Sequence, residues 1–213
     1  MRGIVACGVV VVVVAVSLPL VGAESAKVTY LDLQPKANHK LKDGHGNEDN
    51  NLASLPKGEQ TFGGVKFKVG EGLILLAGKE TSGLPEKVEG IKLDGKCSRL
   101  HFLHATHYST PKEDTIVGYY TVNYDDKSQE TIPIVYGKDV LDWWQGSDPK
   151  EPTRGKVAWT GDNENAKAAG SKIRLFRTAW KNPEPGKKVV GIDFGSTSAA
   201  EPAPFCVAIT AEE

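Results

Sequence analysis

Two adjacent tryptophans, Trp143 and Trp144, stand close to Asp139 and Asp142 in the second half of the chain. A flat aromatic ring can stack on the C–H face of a pyranose, and carboxylates accept hydrogen bonds from its hydroxyl groups. The four residues therefore predict a carbohydrate-binding surface. The alternative is that one tryptophan fills the end of a hydrophobic core. Since neighbouring residues of an extended chain point to opposite faces, burial of one would tend to expose the other.

His104, His107 and Tyr108 lie at the end of a strand-like segment, residues 98–105, or just after it, and are interpreted as the polar rim of this binding surface. Together with His101, the histidines also suggest a metal site. On a strand, however, His101 and His104 face opposite sides, and three ligands must converge to about 2.0–2.1 Å from zinc. The spacing therefore argues against zinc. The alternative for these residues is a loop that follows an ordinary core histidine.

Arg177 lies in the segment IRLFRTAW, two residues before Ala179 and three before Trp180. An arginine beside an aromatic ring can bind a glycan hydroxyl or carboxylate, so Arg177 is a further candidate ligand contact. The alternative is an arginine whose stem simply covers a sheet surface.

Catalytic motifs are missing from the sequence: it has no Gly-x-Ser-x-Gly, no His-Glu-x-x-His and no phosphate-binding loop. Glycoside hydrolysis needs two carboxylates about 5 to 9.5 Å apart across a cleft. Asp139 and Asp142 can be imagined in those roles, but nothing else in the sequence supports them. We therefore expect a binding protein that is not an enzyme.

A β-hairpin at residues 115–144 is the central predicted element. Residues 116–124 alternate between two unlike faces, residues 130–136 form the return strand, and Asp125 to Ser128 have turn composition. Other short strand-like segments recur about every 8 to 15 residues, which is typical of an all-β sandwich. They are residues 28–33, 65–69, 73–77, 88–93, 98–105, 156–160, 171–180, 188–194 and 205–210.

Residues 34–60 are polar, lack apolar periodicity and are predicted to form a loop. Polar residues alternate from Asp43 to Asp49 and superficially suggest a calcium loop. An EF-hand needs glycine at its sixth position and glutamate at its twelfth, where this chain has Glu48 and Ser54. A solvated loop is the favoured interpretation, and a looser calcium site stays open.

The N-terminus reads as a signal peptide, residues 1–23. Arg2 precedes a valine-rich run at 4–21, and Val21-Gly22-Ala23 offers small residues for cleavage. The alternative is a retained anchor, because the run approaches the length that spans a bilayer. Cleavage would leave one domain, residues 24–213, and would place the protein outside the cytoplasm, either secreted or in the periplasm or cell envelope.

The net charge of −1 gives no electrostatic footprint for nucleic acid or an anionic membrane, so neither is expected as a partner. No second long apolar run follows the signal, so no membrane insertion is expected after cleavage. Cys97 and Cys206 would survive cleavage. In an oxidising compartment they can form one disulfide; the alternative is two reduced cysteines packed in the core.

The segments GEQTFGGVKF at 58–67, RLHFLHA at 99–105, the central hairpin and FCVAIT at 205–210 together resemble galactose-binding-like jelly rolls. More closely, they are similar to carbohydrate-binding-module-like domains exported by planctomycete-type bacteria, relatives of the novel putative carbohydrate-binding module and of discoidin-type domains. The resemblance covers nearly the whole of residues 24–213. One departure is Lys127, where such a hairpin would favour glycine, at a cost of about 1 kcal/mol.

The resemblance implies a jelly-roll β-sandwich that binds a glycan without catalysis and carries a structural calcium ion. A structural or protein-interaction module of the cell envelope is the alternative from a different class, because this type of fold also serves in adhesion. Exposed aromatics at one end of the sandwich would favour a glycan, whereas a broad apolar patch on a sheet face would favour a protein partner.

Overall fold

The computed structural model describes Gly3 and residues 27–81, 83–110, 112–146 and 150–213. The predicted signal peptide, residues 1–23, therefore lies outside the described residues apart from Gly3. Within the described ranges, no helix has the length and apolar character needed to cross a bilayer.

Strands dominate the described residues, as the sequence predicts. A 3₁₀ helix spans Gln34–Lys36 and one short α-helix, α1, spans Glu164–Ala168. The strands are β1 (Val28–Leu31), β2 (His39–Lys40), β3 (Gly58–Phe62), β4 (Val65–Val69), β5 (Gly72–Leu75), β6 (Lys87–Gly95), β7 (Arg99–His107), β8 (Ile116–Tyr124), β9 (Gln129–Val135), β10 (Lys156–Gly161), β11 (Ile173–Lys181), β12 (Val189–Ser196) and β13 (Ala203–Glu212).

Two antiparallel sheets pack face to face as a sandwich, which confirms the predicted all-β class. The large sheet has the order β10-β11-β7-β13-β5-β2, with β1 also paired to β13, and the small sheet has the order β6-β12-β8-β9. The β3–β4 hairpin forms a third layer over the outer face of the large sheet, where the Thr210 hydroxyl donates to the Lys66 carbonyl at 2.8 Å. The central strands of the large sheet are therefore covered on both faces.

Coverage on both faces explains why β7 and β13 are buried along nearly their whole length and why β13 is almost entirely apolar, whereas burial alternates along β8. The alternate residues of β8 point into the sandwich. There the Tyr120 ring stacks on Phe102 of the large sheet at 3.9 Å and on Phe194 of the small sheet at 4.8 Å. This aromatic stack joins the two sheets at the centre of the core.

The predicted hairpin is confirmed as β8 and β9, joined by a turn in which Lys127 adopts φ +70°. Residues 34–60 depart from the predicted loop, because they contain β2 and most of β3 and bury Leu41, Leu52 and Leu55. The helix α1 was not predicted. Its five residues are too few to produce a helical period in the sequence.

Cys97 and Cys206 are both free and buried. The sequence allowed either a disulfide or two reduced cysteines in the core, and the structure contains two separate reduced cysteines. Burial raises the pKa of both thiols, that of Cys206 to about 12, so both are neutral at physiological pH.

Candidate functional site

The predicted site residues do not come together in one place. They divide among the end of the sandwich, a cleft between the two sheets, and a groove on the outer face of the large sheet.

Trp143 lies at the end of the sandwich, where it is only 2% exposed. Its ring meets His107 at 4.9 Å and Phe205 at 6.2 Å, both edge to face. The prediction of Trp143 as a sugar-stacking residue is corrected, because its faces are covered by the core. The alternative, a tryptophan that fills the end of the core, applies.

Trp144 points the other way, as expected of adjacent residues on an extended chain, and is half-buried. It packs against the edge of the core, and its indole Nε1 donates to Asn50 Oδ1 at 3.0 Å. The pair therefore does not form an open aromatic shelf, although the outer edge of Trp144 keeps contact with solvent.

Asp142 is half-buried beside Trp144, whose backbone N–H donates to Asp142 Oδ1 at 3.0 Å. Burial raises the pKa of the Asp142 carboxyl to about 6, and the backbone hydrogen bond and the nearby Arg174 oppose this shift. A carboxylate with a raised pKa at a partly open position is a candidate functional group, and Asp142 keeps that status.

His107 is 4% exposed, so its prediction as a rim contact is corrected. Its ring lies 3.7 Å from that of His45, which in turn stacks on His39 at 4.1 Å. The loop that carries His45 is anchored by buried leucines and closes over His107. Tyr108, by contrast, is 47% exposed in a left-handed conformation with φ +65°, and it is available at the surface as predicted.

A cleft between the two sheets brings two other predicted residues, His104 and Asp139, together. It opens between β9, the edge strand of the small sheet, and residues 178–181 at the end of β11. These residues follow Arg177, the last residue of β11 that pairs with β10. We call it the inter-sheet cleft. Its volume is about 180 Å³, and the lining residues used below are His104, Tyr120, Thr131, Asp139, Arg154, Thr178 and Trp180.

His104 sits at the floor of the inter-sheet cleft. Its Nε2 lies 2.9 Å from the Thr178 hydroxyl, and its Nδ1 lies 3.2 Å from the Tyr120 hydroxyl. Burial lowers the pKa of His104 to about 4, so the ring is neutral at physiological pH. The result is an uncharged polar floor in a cavity that also has aromatic, aliphatic and charged lining residues.

Arg154 and Asp139 form one side of the cleft. Arg154 Nε and Nη2 donate to Asp139 Oδ1 and Oδ2, each at 2.6 Å, and the Val135 N–H donates to Asp139 Oδ2 at 2.8 Å. The carboxylate is buried, whereas the arginine reaches the cleft mouth. Asp139, predicted as a ligand contact beside Trp143 and Trp144, lies instead in this cleft without either tryptophan, and much of its hydrogen-bonding capacity is taken by Arg154 and the backbone.

The sequence did not identify the other residues of the cleft as site residues, and among them are Arg154, Tyr120, Thr178 and Trp180. Tyr120 and Thr178 come from strands of different sheets, and Arg154 comes from a loop. The segment IRLFRTAW offered a signal for Trp180, because it placed a tryptophan near the end of a strand. Nothing in the sequence pairs Arg154 with Asp139, fifteen residues earlier.

Arg177 lies outside the inter-sheet cleft, in a groove of about 390 Å³ beneath the β3–β4 turn. Strand alternation places Arg177 and His101 on the outer face of the large sheet, whereas Thr178 and His104 point into the sandwich. His101 and His104 therefore face opposite sides, as the sequence predicts.

Among the described residues, no group of three or more His, Cys, Asp or Glu side chains is arranged to hold a metal ion. Calcium can also be held by backbone carbonyls and stays a prediction. Asp139 lines the inter-sheet cleft and Asp142 does not, so the two do not face each other across that cavity.

Comparison with known proteins found no matching family model, curated protein or solved structure. The resemblance to galactose-binding-like domains therefore rests on the residues quoted above alone.

Proposed function

We propose that the protein is a non-catalytic carbohydrate-binding module that holds one sugar residue in the inter-sheet cleft. The observation that carries this proposal is the composition of the cleft: aromatic rings and neutral or paired polar groups line one cavity. Ligand sites are mostly apolar cavities with a few polar groups that fix orientation, which is the pattern here.

Trp180 supplies the aromatic wall. Its ring is half-buried, packs against the core and lines the cleft, so it is held in place while part of it stays accessible. A pyranose stacks its C–H face on such a ring, and the accessible part of Trp180 is suited to that contact. In this proposal Trp180 takes the role that the sequence assigned to Trp143 and Trp144.

The polar groups of the inter-sheet cleft suit the hydroxyl groups of a neutral sugar better than they suit a charged ligand. The hydroxyls of Thr131 and Thr178 can both donate and accept, and the Arg154 charge is balanced by Asp139 at 2.6 Å. A volume of about 180 Å³ is below the usual range for drug-sized ligands, so a single monosaccharide unit or the end of a chain is the proposed occupant.

The other candidate, a protein-interaction module, has less support in the described residues. Their exposed large apolar side chains are Tyr108, Ile116 and Val190. Ile116 lies near the start of β8 and Val190 lies beside Tyr124 at its end, so these two are at opposite ends of the small sheet. Singly exposed apolar residues of this kind are ordinary, and no sheet face joins them into a patch.

Calorimetric titration of the purified protein with a panel of neutral monosaccharides and short oligosaccharides tests the proposal, with calcium and then with chelator. We expect one sugar class to bind, and Trp180→Ala to weaken its binding at least about tenfold. Trp144→Ala is the matched control and should bind normally. Silence on every sugar from a folded sample would instead favour the envelope-protein alternative.

A further inference from the structure

The groove that contains Arg177 holds two buried nitrogen atoms without a hydrogen-bond partner among the described residues: His101 Nδ1 and Arg177 Nε. We call this groove the outer groove. Nearly all buried polar atoms in folded proteins are hydrogen-bonded, so two unpaired nitrogens in one cavity require an explanation. His101 is 5% exposed, and its unpaired atom is therefore fixed in place by packing.

The two side chains lie on the same face of the large sheet. In the pairing of β11 with β7, Arg177 is opposite Leu103 and His101 is opposite Ala179, so Arg177 and His101 are diagonal neighbours. Diagonal neighbours are about 7 to 8 Å apart at their backbones, which long side chains can bridge. The two side chains therefore lie next to each other in the outer groove.

The charges of the outer groove favour an anion. Lys66, Arg99 and Arg177 line it, with Glu212 as the acid opposite them. Glu212 Oε2 is already engaged by Arg99 Nη1 and His101 Nε2, each at 3.2 Å. Arg177 therefore brings a positive charge and a buried N–H that Glu212 does not take up.

His101 requires a different chemical group. Its Nε2 faces the Glu212 carboxylate, which can only accept, so the N–H of the neutral ring is at Nε2. Nδ1 is then a bare acceptor and needs a donor from the ligand. Arg177 Nε is thus a donor without an acceptor and His101 Nδ1 an acceptor without a donor, and an anion that carries no hydroxyl group cannot satisfy both.

The β3–β4 turn forms the wall of this site. Gly63 and Gly64 adopt φ +55° and φ +80°, and a side-chain carbon at Gly63 would lie 3.3 Å from Arg177 Nε. The absence of a side chain at position 63 therefore avoids a close contact with the Arg177 Nε–H and also permits the positive φ of the turn.

We propose that the outer groove binds a sugar acid, with its carboxylate at Arg177 and a neighbouring hydroxyl donating to His101 Nδ1. This second site is on the opposite face of the large sheet from the inter-sheet cleft and goes beyond the proposed function. The two sites take different ligands, a sugar acid here and a neutral sugar there.

Calorimetry with D-glucuronate, D-glucose, acetate and inorganic sulfate tests the assignment on the full chain carrying Trp180→Ala, in which neutral-sugar binding to the inter-sheet cleft is weakened. We expect glucuronate to bind at least about tenfold more tightly than each of the other three, because only glucuronate carries both groups. Equal binding of acetate or sulfate, which are anions without a hydrogen-bond donor, would contradict the role of His101, and no binding of glucuronate would overturn the site.

Arg177→Gln should weaken glucuronate binding at least about tenfold, and Lys66→Gln, at an exposed position of the rim, should weaken it less. Trp180→Ala should leave glucuronate binding unchanged, which separates this site from the inter-sheet cleft. Unchanged affinity in folded Arg177→Gln would contradict the proposal. If His101→Gln does not fold, the arginine and lysine variants still decide the matter.

Discussion

Arg154 binds Asp139 through two parallel hydrogen bonds of 2.6 Å each, and this pair closes one side of the inter-sheet cleft. Such a bidentate pair is geometrically specific, and it fixes the buried Asp139 carboxylate, which also accepts a hydrogen bond from the Val135 N–H. The pair therefore shapes the cavity and stabilises the fold at the same point.

Arg154→Gln should lower the free energy of unfolding by about 1 to 3 kcal/mol, because a buried carboxylate loses its charged partner. Urea denaturation measures this loss. The exposed Lys156→Gln is the matched control and should change stability by less than about 0.5 kcal/mol. If Arg154→Gln were as stable as Lys156→Gln, the pair would contribute nothing to stability.

Lys127→Gly should raise the free energy of unfolding by about 1 kcal/mol. Lys127 adopts φ +70°, a conformation that costs an ordinary residue about this much and glycine almost nothing. Gly64→Ala, at φ +80° in the other hairpin turn, is the converse substitution and should destabilise by a similar amount. Lys127→Gly keeps the backbone hydrogen bonds of this turn, from the Lys127 N–H to the Tyr124 carbonyl and from the Ser128 N–H to Asp126 Oδ1. A Lys127→Gly variant that is not stabilised would therefore contradict the strain argument.

Acid should destabilise the protein through His104, which is buried, and His45, which is half-buried. The pKa of His104 is lowered to about 4 and that of His45 to about 3, in both cases mainly by burial. The unfolded chain binds these protons near pH 6.5 and the folded chain does not, so stability is full above pH 6.5 and falls as the pH drops towards 4. For His104 alone the loss at pH 4 is about 3 kcal/mol.

Denaturation at pH 7 and pH 4.5 checks this sign. His45→Phe keeps an aromatic ring in the stack with His39 and His107 but does not titrate, so its stability should fall less with acid than that of the unsubstituted protein. Equal acid sensitivity of the two proteins would exclude His45 as a contributor.

Asp142→Asn should stabilise the protein at pH 7. The pKa of the Asp142 carboxyl is raised to about 6, so the folded state disfavours its ionised form and stability falls as the pH rises from 4 through 6. Asparagine keeps an oxygen for the Trp144 N–H and removes the charge, although Arg174 loses a nearby anion. We expect a gain of about 1 kcal/mol at pH 7 and a smaller or opposite effect at pH 4.

The sequence was sufficient for features that depend on neighbouring residues. The alternation of residues 116–124 predicted β8 at its observed bounds. The geometry of an extended chain predicted that Trp143 and Trp144 face opposite sides. It was also sufficient to identify Lys127 as the strained turn residue. Each of these follows from the local geometry of a strand or turn.

The candidate site depended on contacts between distant segments, which local patterns do not contain. His45 comes from a polar loop, yet it stacks on His107 because irregularly spaced leucines anchor that loop to the core. Arg154 reaches Asp139 from a loop, and Tyr120 meets His104 across the two sheets. Only the packing of the sandwich decides that Trp180, and not Trp143, has an accessible ring.

The central claim is that a neutral sugar binds in the inter-sheet cleft against Trp180. The most direct measurement is the affinity of the unsubstituted protein, Trp180→Ala and Trp144→Ala for the best sugar of the panel, each with its melting temperature. The account predicts a loss of at least about tenfold for Trp180→Ala in a folded protein, with Trp144→Ala unchanged. Binding that survives in folded Trp180→Ala, or is lost only in Trp144→Ala, would contradict it.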